Sequence, residues 1–175
     1  NEVSWHDWDR TDEDFLEWVR RLVAFRAVHP LFHRRRWFQG RSIRGVEDVA
    51  WFRHDGAEMT DDDWENGFAR SVGVFMNGDT IQATDLFGAR MVDDTFFVIV
   101  NASELDLPWT LPDTSRGRRW VIEFDSAEPD AGTPHLPSGF VDANAEMPVP
   151  AHTIIVLRRT DRTPAASHPS RRTKP

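Results

Sequence analysis

Hydrophobic residues near the start of the chain recur with helical spacing. The apolar positions of this stretch are Phe15, Trp18, Val19, Leu22, Val23 and Phe25, with arginines on another face. Thr11 precedes three acidic residues and is the expected N-cap, because a side-chain oxygen there can accept backbone N–H groups. His29 comes directly before Pro30, and a residue in that position is pushed out of the α region. The pattern therefore predicts a helix over residues 11–29.

From Ser42 onward the pattern changes to short apolar runs separated by Gly, Pro, Asn and Asp. Such runs predict strands. The predicted strands cover residues 49–53, 71–76, 95–101, 109–111, 120–125 and 153–158. Many short strands with turn signals between them are typical of a β-sandwich. The runs at residues 96–100 and 154–157 are continuously apolar, which predicts that these strands are covered on both faces.

The stretch from residue 46 to residue 79 predicts a strand, a turn, a short helix and a second strand. Asp55-Gly56 is a strong turn signal, since glycine adopts positive φ without steric cost. Thr60 is a good N-cap for a helix whose first turn holds Asp61, Asp62 and Asp63, where the helix dipole favours negative charge.

Three segments of the sequence carry a family resemblance. The segment WFRHDGAEMTDDDW (residues 51–64) closely resembles a stretch of bacterial glycogen-debranching enzymes of the isoamylase type, in glycoside hydrolase family 13. The opening NEVSWHDW and the later HPLFHRRRWFQG (residues 29–40) resemble the same family, in the same order. The implied fold is mainly β, an antiparallel β-sandwich preceded by the last helix of a truncated (β/α)8 barrel.

The resemblance also implies a domain organisation. Residues 1–41 would be the end of the catalytic barrel, and residues 42–159 the C-terminal β-sandwich, with a boundary between Gln39 and Glu47. Residues 160–175 are rich in Pro, Ser, Thr and Arg with almost no apolar side chain, so a disordered tail is predicted there. Because the sequence starts at Asn1 without Met, we expect a fragment of a longer protein.

The function implied by the resemblance is that of a parent enzyme that hydrolyses α-1,6 branch linkages in glycogen or limit dextrin. The implied partners are the α-glucan and the missing barrel domain, and this portion would be structural. The alternative is a free-standing, non-catalytic carbohydrate-binding or interaction sandwich. Such a module should expose coplanar aromatic rings on one sheet face. The parent enzyme instead requires an uncovered apolar face on the first helix.

Acidic residues are numerous, but their settings do not predict catalysis. A retaining glycosidase needs two carboxylates about 5–5.5 Å apart. Asp12–Asp14 and Asp61–Asp63 lie in helix starts, and Asp93-Asp94 precedes a strand. In the family the catalytic carboxylates follow earlier barrel strands, so no catalytic residue is expected in this chain. His29 and His33 have helical ligand spacing, but Pro30 interrupts the helix, and neither a metal nor a cofactor is predicted. Asn101-Ala102-Ser103 matches a glycosylation acceptor, which we interpret as chance.

Tryptophan side chains are the remaining candidates, because sugar rings stack on indole faces. Trp5 and Trp8 are the tentative substrate contacts, since the resemblance places residues 1–8 on the substrate-binding side of the barrel. Trp37, Trp51 and Trp64 could also touch glucan, although for Trp51 core packing is favoured. The run at residues 33–36 is interpreted as part of a connector whose aromatic residues pack and whose arginines stay solvated.

The composition excludes some classes of binding partner and indicates a cellular compartment. The net charge of −8 argues against general binding to nucleic acid or anionic membranes. The chain contains no cysteine, which fits a reducing compartment, and a cytoplasmic location is expected. No apolar run approaches the roughly 18 residues of a membrane span.

Overall fold

The structure is a computed structural model of the chain. It describes residues 5, 10–34, 36–40, 42–43, 46–67, 69–84, 87–128 and 139–161. Within these ranges no helix has the length and apolar character that a membrane span requires.

The secondary structure is mainly β. The α-helices are α1 (Glu13–Val28) and α2 (Asp61–Trp64), and single 3-10 turns cover Pro30–His33 and Gly78–Thr80. The strands are β1 (Ser42–Ile43), β2 (Val46–Glu47), β3 (Val49–Phe52), β4 (Ser71–Met76), β5 (Phe96–Asn101), β6 (Leu107–Thr110), β7 (Arg119–Asp125), β8 (Val141–Asp142), β9 (Glu146–Val149) and β10 (Thr153–Arg159).

An antiparallel six-stranded sheet with the order β3-β4-β5-β10-β7-β8 forms the centre of the molecule. In its middle, Val74 of β4 lies opposite Val98 of β5, and Val98 lies opposite Val156 of β10. Strands β6 and β9 pair as a separate antiparallel ribbon, and β1 pairs with β2. The mainly β, antiparallel prediction is confirmed.

The main core lies between the six-stranded sheet and the β6–β9 ribbon. Successive strand residues point to opposite faces, so every second residue of β3, β4, β5 and β10 enters this core. The largest buried side chains of this cluster are Trp109, Trp120, Phe75, Phe97, Ile99 and Leu157. Trp109 comes from the ribbon and Trp120 from β7, and the ring of Phe97 lies within 6.3 Å of both ring centroids. The two sheets therefore close one apolar core, as expected for a sandwich.

One end of the opposite, outer face of the six-stranded sheet is covered by the segment that follows α1. Leu31, Ile81 and Phe96 form a second buried cluster there. Phe25, near the end of α1, meets Phe96 and Phe124 edge to face, with ring centroids 5.5 and 4.9 Å apart. Helix α1 is thus held on the sheet by its C-terminal end. Further back, Phe15 and Val23 remain 61% and 62% exposed.

The first helix differs from its prediction at its N-terminal end. Asp12 is the N-cap and its Oδ1 accepts the Phe15 N–H at 2.9 Å, so the assignment of the cap to Thr11 is wrong by one residue. Both residue types cap helices well, and the sequence does not choose between adjacent candidates. The predicted end is confirmed, because His29 is the extended C-cap before Pro30.

The strands differ from the predictions mainly where they are short. The predicted strands are present within two residues at each end, but β1, β2, β8 and β9 were not predicted. Three of these contain two residues, and β9 includes Pro148, which normally argues against a strand. The expected cover on both faces is wrong for Ile154, which is 47% exposed on the outer face. In the predicted tail, only Thr160 and Asp161 are described, and Thr160 donates its N–H to the Arg119 carbonyl. The rest of the tail lies outside the described residues.

The buried glycine of β4 gives a test of the core geometry. A Cβ on Gly73 would lie 2.6 Å from Phe97 Cζ and 2.8 Å from Trp109 Cζ3. We expect Gly73→Ala to lower the free energy of unfolding by about 1–3 kcal/mol through overpacking. The matched control is Gly67→Ala, where a Cβ meets nothing within 4 Å. Equal urea midpoints for the two variants would contradict the described packing.

Candidate functional site

A buried carboxylate, Asp93, holds the segment after α1 against the sheet. Its Oδ1 accepts from His29 Nδ1 at 2.7 Å, and its Oδ2 accepts the Leu31 backbone N–H at 2.8 Å. Only 5% of its side chain is exposed. A buried charge is stable only when its oxygens are satisfied, and these donors come from 62 and 64 residues away in the sequence. Asp93 therefore fixes where the chain leaves α1.

A second buried carboxylate, Asp48, holds the same segment further along. It accepts the backbone N–H of Gln39 at 3.1 Å and that of Gly40 at 2.9 Å, and Arg34 Nη2 lies 3.4 Å from its Oδ2. Asp48 is almost completely buried, between β2 and β3. Together the two carboxylates bind residues 29–34 and 36–40, which we call the connector segment, to the sandwich mostly through main-chain groups. Neither was predicted, because an acid before an apolar run does not indicate which backbone N–H groups of another segment it will accept.

Arg53 organises the turn and the short helix of the sequence stretch identified above. Arg53 Nη2 lies 2.8 Å from Asp55 Oδ2, and its Nη1 lies 3.3 Å from Asp63 Oδ1. Asp63 Oδ2 also accepts both the N–H and the hydroxyl of Thr60 at 2.8 Å, which caps α2. Gly56 has a φ of +81°, as the turn prediction requires. The predicted order of strand, turn, short helix and strand is confirmed.

These contacts lower the pKa values of both acids, Asp55 and Asp63. The hydrogen bond from Arg53 is the main reason that the pKa of Asp55 lies below its ordinary value of 3.8. For Asp63 the backbone N–H of Thr60 is the main cause of a lowered pKa, and Arg53 adds to it. Both groups are therefore held as carboxylates, which suits ion pairing and capping.

A cavity of about 350 Å³ opens beside this turn. It is lined on one side by Arg53, Asp63 and Asn66 and on the other by Ser103 and Leu105. The second wall is positioned by the buried Asn101. Its amide nitrogen donates to the carbonyls of Leu105, Val149 and Pro150, and its oxygen accepts from Ser103. Asn101 is thus fully engaged inside the fold, in keeping with the interpretation of Asn101-Ala102-Ser103 as a chance match.

The exposed tryptophans Trp51, on β3, and Trp64, at the end of α2, pack against each other. Their ring centroids are 5.3 Å apart and their planes meet at 79°. Trp51 is on the outer side of β3 and 39% exposed, so the expectation of core packing for Trp51 is wrong. The edge-to-face arrangement gives two perpendicular rings, whereas a flat sugar-binding platform needs coplanar ones.

A second cavity, of about 420 Å³, lies along the connector segment. Arg26, Arg34 and Arg36 line it, together with Phe38 and the 91% exposed Trp37. The guanidinium of Arg34 stacks on the Phe38 ring, 4.1 Å from its centroid, and only 7% of the Arg34 side chain is exposed. The expectation of solvated arginines is therefore wrong for Arg34, and the expectation of packed aromatics is wrong for Trp37.

The remaining sequence candidates fall in separate places. Trp5 is described and 74% exposed, whereas Trp8 lies outside the described residues. His29 is bound to Asp93, while His33 is exposed at the end of the 3-10 turn. Within the described ranges, no group of three or more His, Asp or Glu side chains is arranged to hold a metal ion.

The amino-acid sequence is similar to one protein family and to several known bacterial proteins. A family model described as "Isoamylase, C-terminal" matches residues 48–157. The "Glycogen operon protein GlgX homolog" of Mycobacterium tuberculosis is 39% identical over 165 residues, 91% of this chain and 22% of the relative. The "Glycogen debranching enzyme" of Pectobacterium atrosepticum is 31% identical over 134 residues, 75% of this chain and 17% of the relative. The "Isoamylase" of Pseudomonas amyloderamosa is 21% identical over 123 residues, 70% of this chain and 14% of the relative. The chain thus spans about a fifth or less of the length of these curated relatives.

Replacing the buried carboxylate of Asp93 by an amide tests its contacts with His29 and Leu31. Asp93→Asn puts an NH2 group opposite existing donors, and an unsatisfied buried polar group costs about 1–3 kcal/mol. We expect that loss of stability together with faster amide hydrogen exchange at residues 29–33. Asp94→Asn is the control with the same charge change, because the Asp94 side chain is 34% exposed and its ion pair with Arg158 is long, at 3.8 Å. Unchanged exchange at residues 29–33 in Asp93→Asn would contradict the anchoring role.

The lowered pKa values of Asp55 and Asp63 predict an acid dependence. In the unfolded chain these groups bind protons at higher pH than in the folded protein, so their stabilising contribution is complete above about pH 5 and is lost as the pH falls through their folded pKa values. We expect Arg53→Leu to flatten the fall in stability between about pH 5 and pH 2, mainly through Asp55. Arg119→Leu, which breaks an exposed pair with Asp142, is the control. Parallel pH profiles for wild type and Arg53→Leu would argue against the network.

Proposed function

Because the chain belongs to the isoamylase C-terminal family, we propose that it is the C-terminal portion of a glycogen-debranching enzyme. The proposed reaction of the whole enzyme is hydrolysis of α-1,6 branch linkages in glycogen or limit dextrin. The match of residues 48–157 to the family is the observation that carries this proposal. The role of this portion is structural, and the catalytic carboxylates belong to the rest of the enzyme.

The proposed organisation places residues 1–41 at the end of a catalytic (β/α)8 barrel, with α1 as its last outer helix. Residues 42–159 form the C-terminal sandwich. The two buried carboxylates support this organisation, because Asp93 binds the beginning of the connector segment and Asp48 binds its end. A helix attached in this way is fixed relative to the sandwich at one end and presents the rest of its length to a neighbour.

The barrel is the proposed occupant of the exposed apolar surface. Phe15, Val23 and Val28 of α1 are each more than half exposed. The outer face of the six-stranded sheet adds the exposed Ile154 and a row of partly buried valines on β4 and β5. Burying one such side chain contributes about 1.5–3 kcal/mol, so this surface suits a permanent intramolecular contact.

The proposed ligand of the parent enzyme is the α-glucan, with Trp5 and Trp8 as its contacts in this chain. The exposure of Trp5 supports that assignment. The proposed location is the cytoplasm, in keeping with the cysteine-free composition. The alternative, a free-standing binding sandwich, is less well supported, because Trp51 and Trp64 stand at 79° to each other.

A chimera tests the proposed function. The C-terminal segment of the Pectobacterium debranching enzyme that aligns with this chain is replaced by the present residues, and reducing-end release from limit dextrin is measured. We expect the chimera to hydrolyse limit dextrin and the present chain alone to be inactive. Release by the chain alone, abolished by substituting one of its own acids, would overturn the proposal.

Charge substitutions on α1 test the proposed barrel contact. Phe15→Glu together with Val23→Glu should reduce the activity of the chimera by at least about tenfold, through loss of apolar burial at the contact, while leaving the stability of the isolated sandwich nearly unchanged. Arg20→Glu is the control, since Arg20 is exposed on the same helix and pairs only with Glu17 among the ion pairs described. Equal activity of the double variant and the control would exclude α1 as the contact.

A further inference from the structure

Arg34 contains an unusual unsatisfied donor. Its side chain is more than nine-tenths buried, and its Nη2 reaches Asp48 at a long 3.4 Å. Its Nη1 is buried and has no hydrogen-bond partner among the described residues. A guanidinium is always charged and carries five N–H donors, so a buried, unpaired Nη1 leaves a costly gap in its hydrogen bonding. Arg34 Nη1 therefore has unused capacity to donate to an acceptor.

The cavity in front of Arg34 has the charge and the shape of an anion site. Arg26 and Arg36 line it at the surface, and Arg34 lines it from inside. Three guanidinium groups against the single Asp48 carboxylate leave a local charge of about +2, in a chain whose net charge is −8. The guanidinium plane is fixed by the Phe38 ring below it, so its donors are already oriented. Fixed arginines are the usual means of recognising phosphoryl oxygens.

We propose that this cavity binds a phosphate monoester of a sugar. A phosphoryl group carries a charge of about −1.5 to −2 and three acceptor oxygens, which match several arginines better than a single carboxylate does. The volume of about 420 Å³ exceeds what a phosphoryl group fills, and it leaves room for an attached ring. Trp37, with its indole almost fully exposed at the rim, offers that ring a stacking face.

The source of the phosphoryl group is a free sugar phosphate or a phosphate ester carried on a glucan, which share this chemistry. The proposal does not depend on the proposed function, since it concerns only Arg26, Arg34, Arg36, Trp37 and Asp48 of this chain. Failure of the binding test would leave the assignment as a debranching-enzyme portion untouched. A failed chimera would likewise leave the phosphate site standing.

The test is a titration of the full 175-residue chain, followed by amide and arginine side-chain NMR at constant ionic strength. The probes are glucose 6-phosphate, inorganic phosphate, glucose and acetate, and in a second arm phosphorylated glycogen before and after phosphatase treatment. We expect saturable shifts at residues 31–38 with glucose 6-phosphate, stronger than with inorganic phosphate, and none with glucose. Loss of glycogen binding after phosphatase treatment would identify the glucan ester as the source, and binding of glucose 6-phosphate alone would identify the free sugar phosphate.

The variants separate a built site from diffuse charge. Arg34→Lys keeps a positive charge beside Asp48 but removes the second terminal nitrogen of the guanidinium, and it should weaken binding about tenfold. Arg36→Gln should weaken binding about threefold. Arg20→Gln makes the same charge change as Arg36→Gln on an exposed part of α1 and should bind like wild type. Equal weakening by Arg20→Gln and Arg36→Gln would overturn the proposal, and so would acetate binding as well as glucose 6-phosphate. Absence of saturation by about 10 mM glucose 6-phosphate, tenfold above a millimolar Kd, would also overturn it.

Discussion

A sheet that is apolar on both faces must be covered on both faces, and the rest of this structure follows from that constraint. The β6–β9 ribbon covers the inner face and closes the main core around Trp109 and Trp120. On the outer face, Phe25 and Leu31 cover the end near Phe96. Because strands alternate their side chains, neither face can be left open without exposing every second residue of the central strands. The connector segment therefore completes the core on the outer face of the sheet as well as joining α1 to the sandwich.

The buried carboxylates are the polar counterpart of this packing. Asp48 and Asp93 lie where water is excluded, and each must find donors within the protein. The donors are supplied by the connector segment, so that the apolar cover and the hydrogen bonds select the same arrangement. This coupling also places Arg34 inside the fold beside Asp48, where one of its nitrogens has no acceptor among the described residues. The unusual chemistry of the basic cavity thus arises from the way the segment is anchored.

The sequence was informative where a signal is local. The Asp55-Gly56 turn, the cap at Thr60 and the end of α1 before Pro30 depend on neighbouring residues, and each is found where the pattern indicated. The family resemblance of residues 51–64 is confirmed by the family match. A motif of this kind can also be recognised from consecutive residues alone. The anchoring acids, the buried Arg34 and the exposed Trp51 depend on contacts between different secondary-structure elements and segments. No periodicity reports those contacts, and an arginine in a basic run looks solvated until its carboxylate partner is known.

Most of the clamp on the connector segment is made of peptide groups. Leu31, Gln39 and Gly40 contribute only their N–H groups to Asp93 and Asp48, and every residue except proline has that group to offer. Of these positions, only Gln39 should accept most other residues, because Gly40 has a φ of +61° that favours glycine and the Leu31 side chain is buried in the second cluster. The two aspartates have no such freedom, since a change at either affects several bonds at once. Homologues should accordingly retain the two acids on the sandwich more strictly than the side chain at position 39.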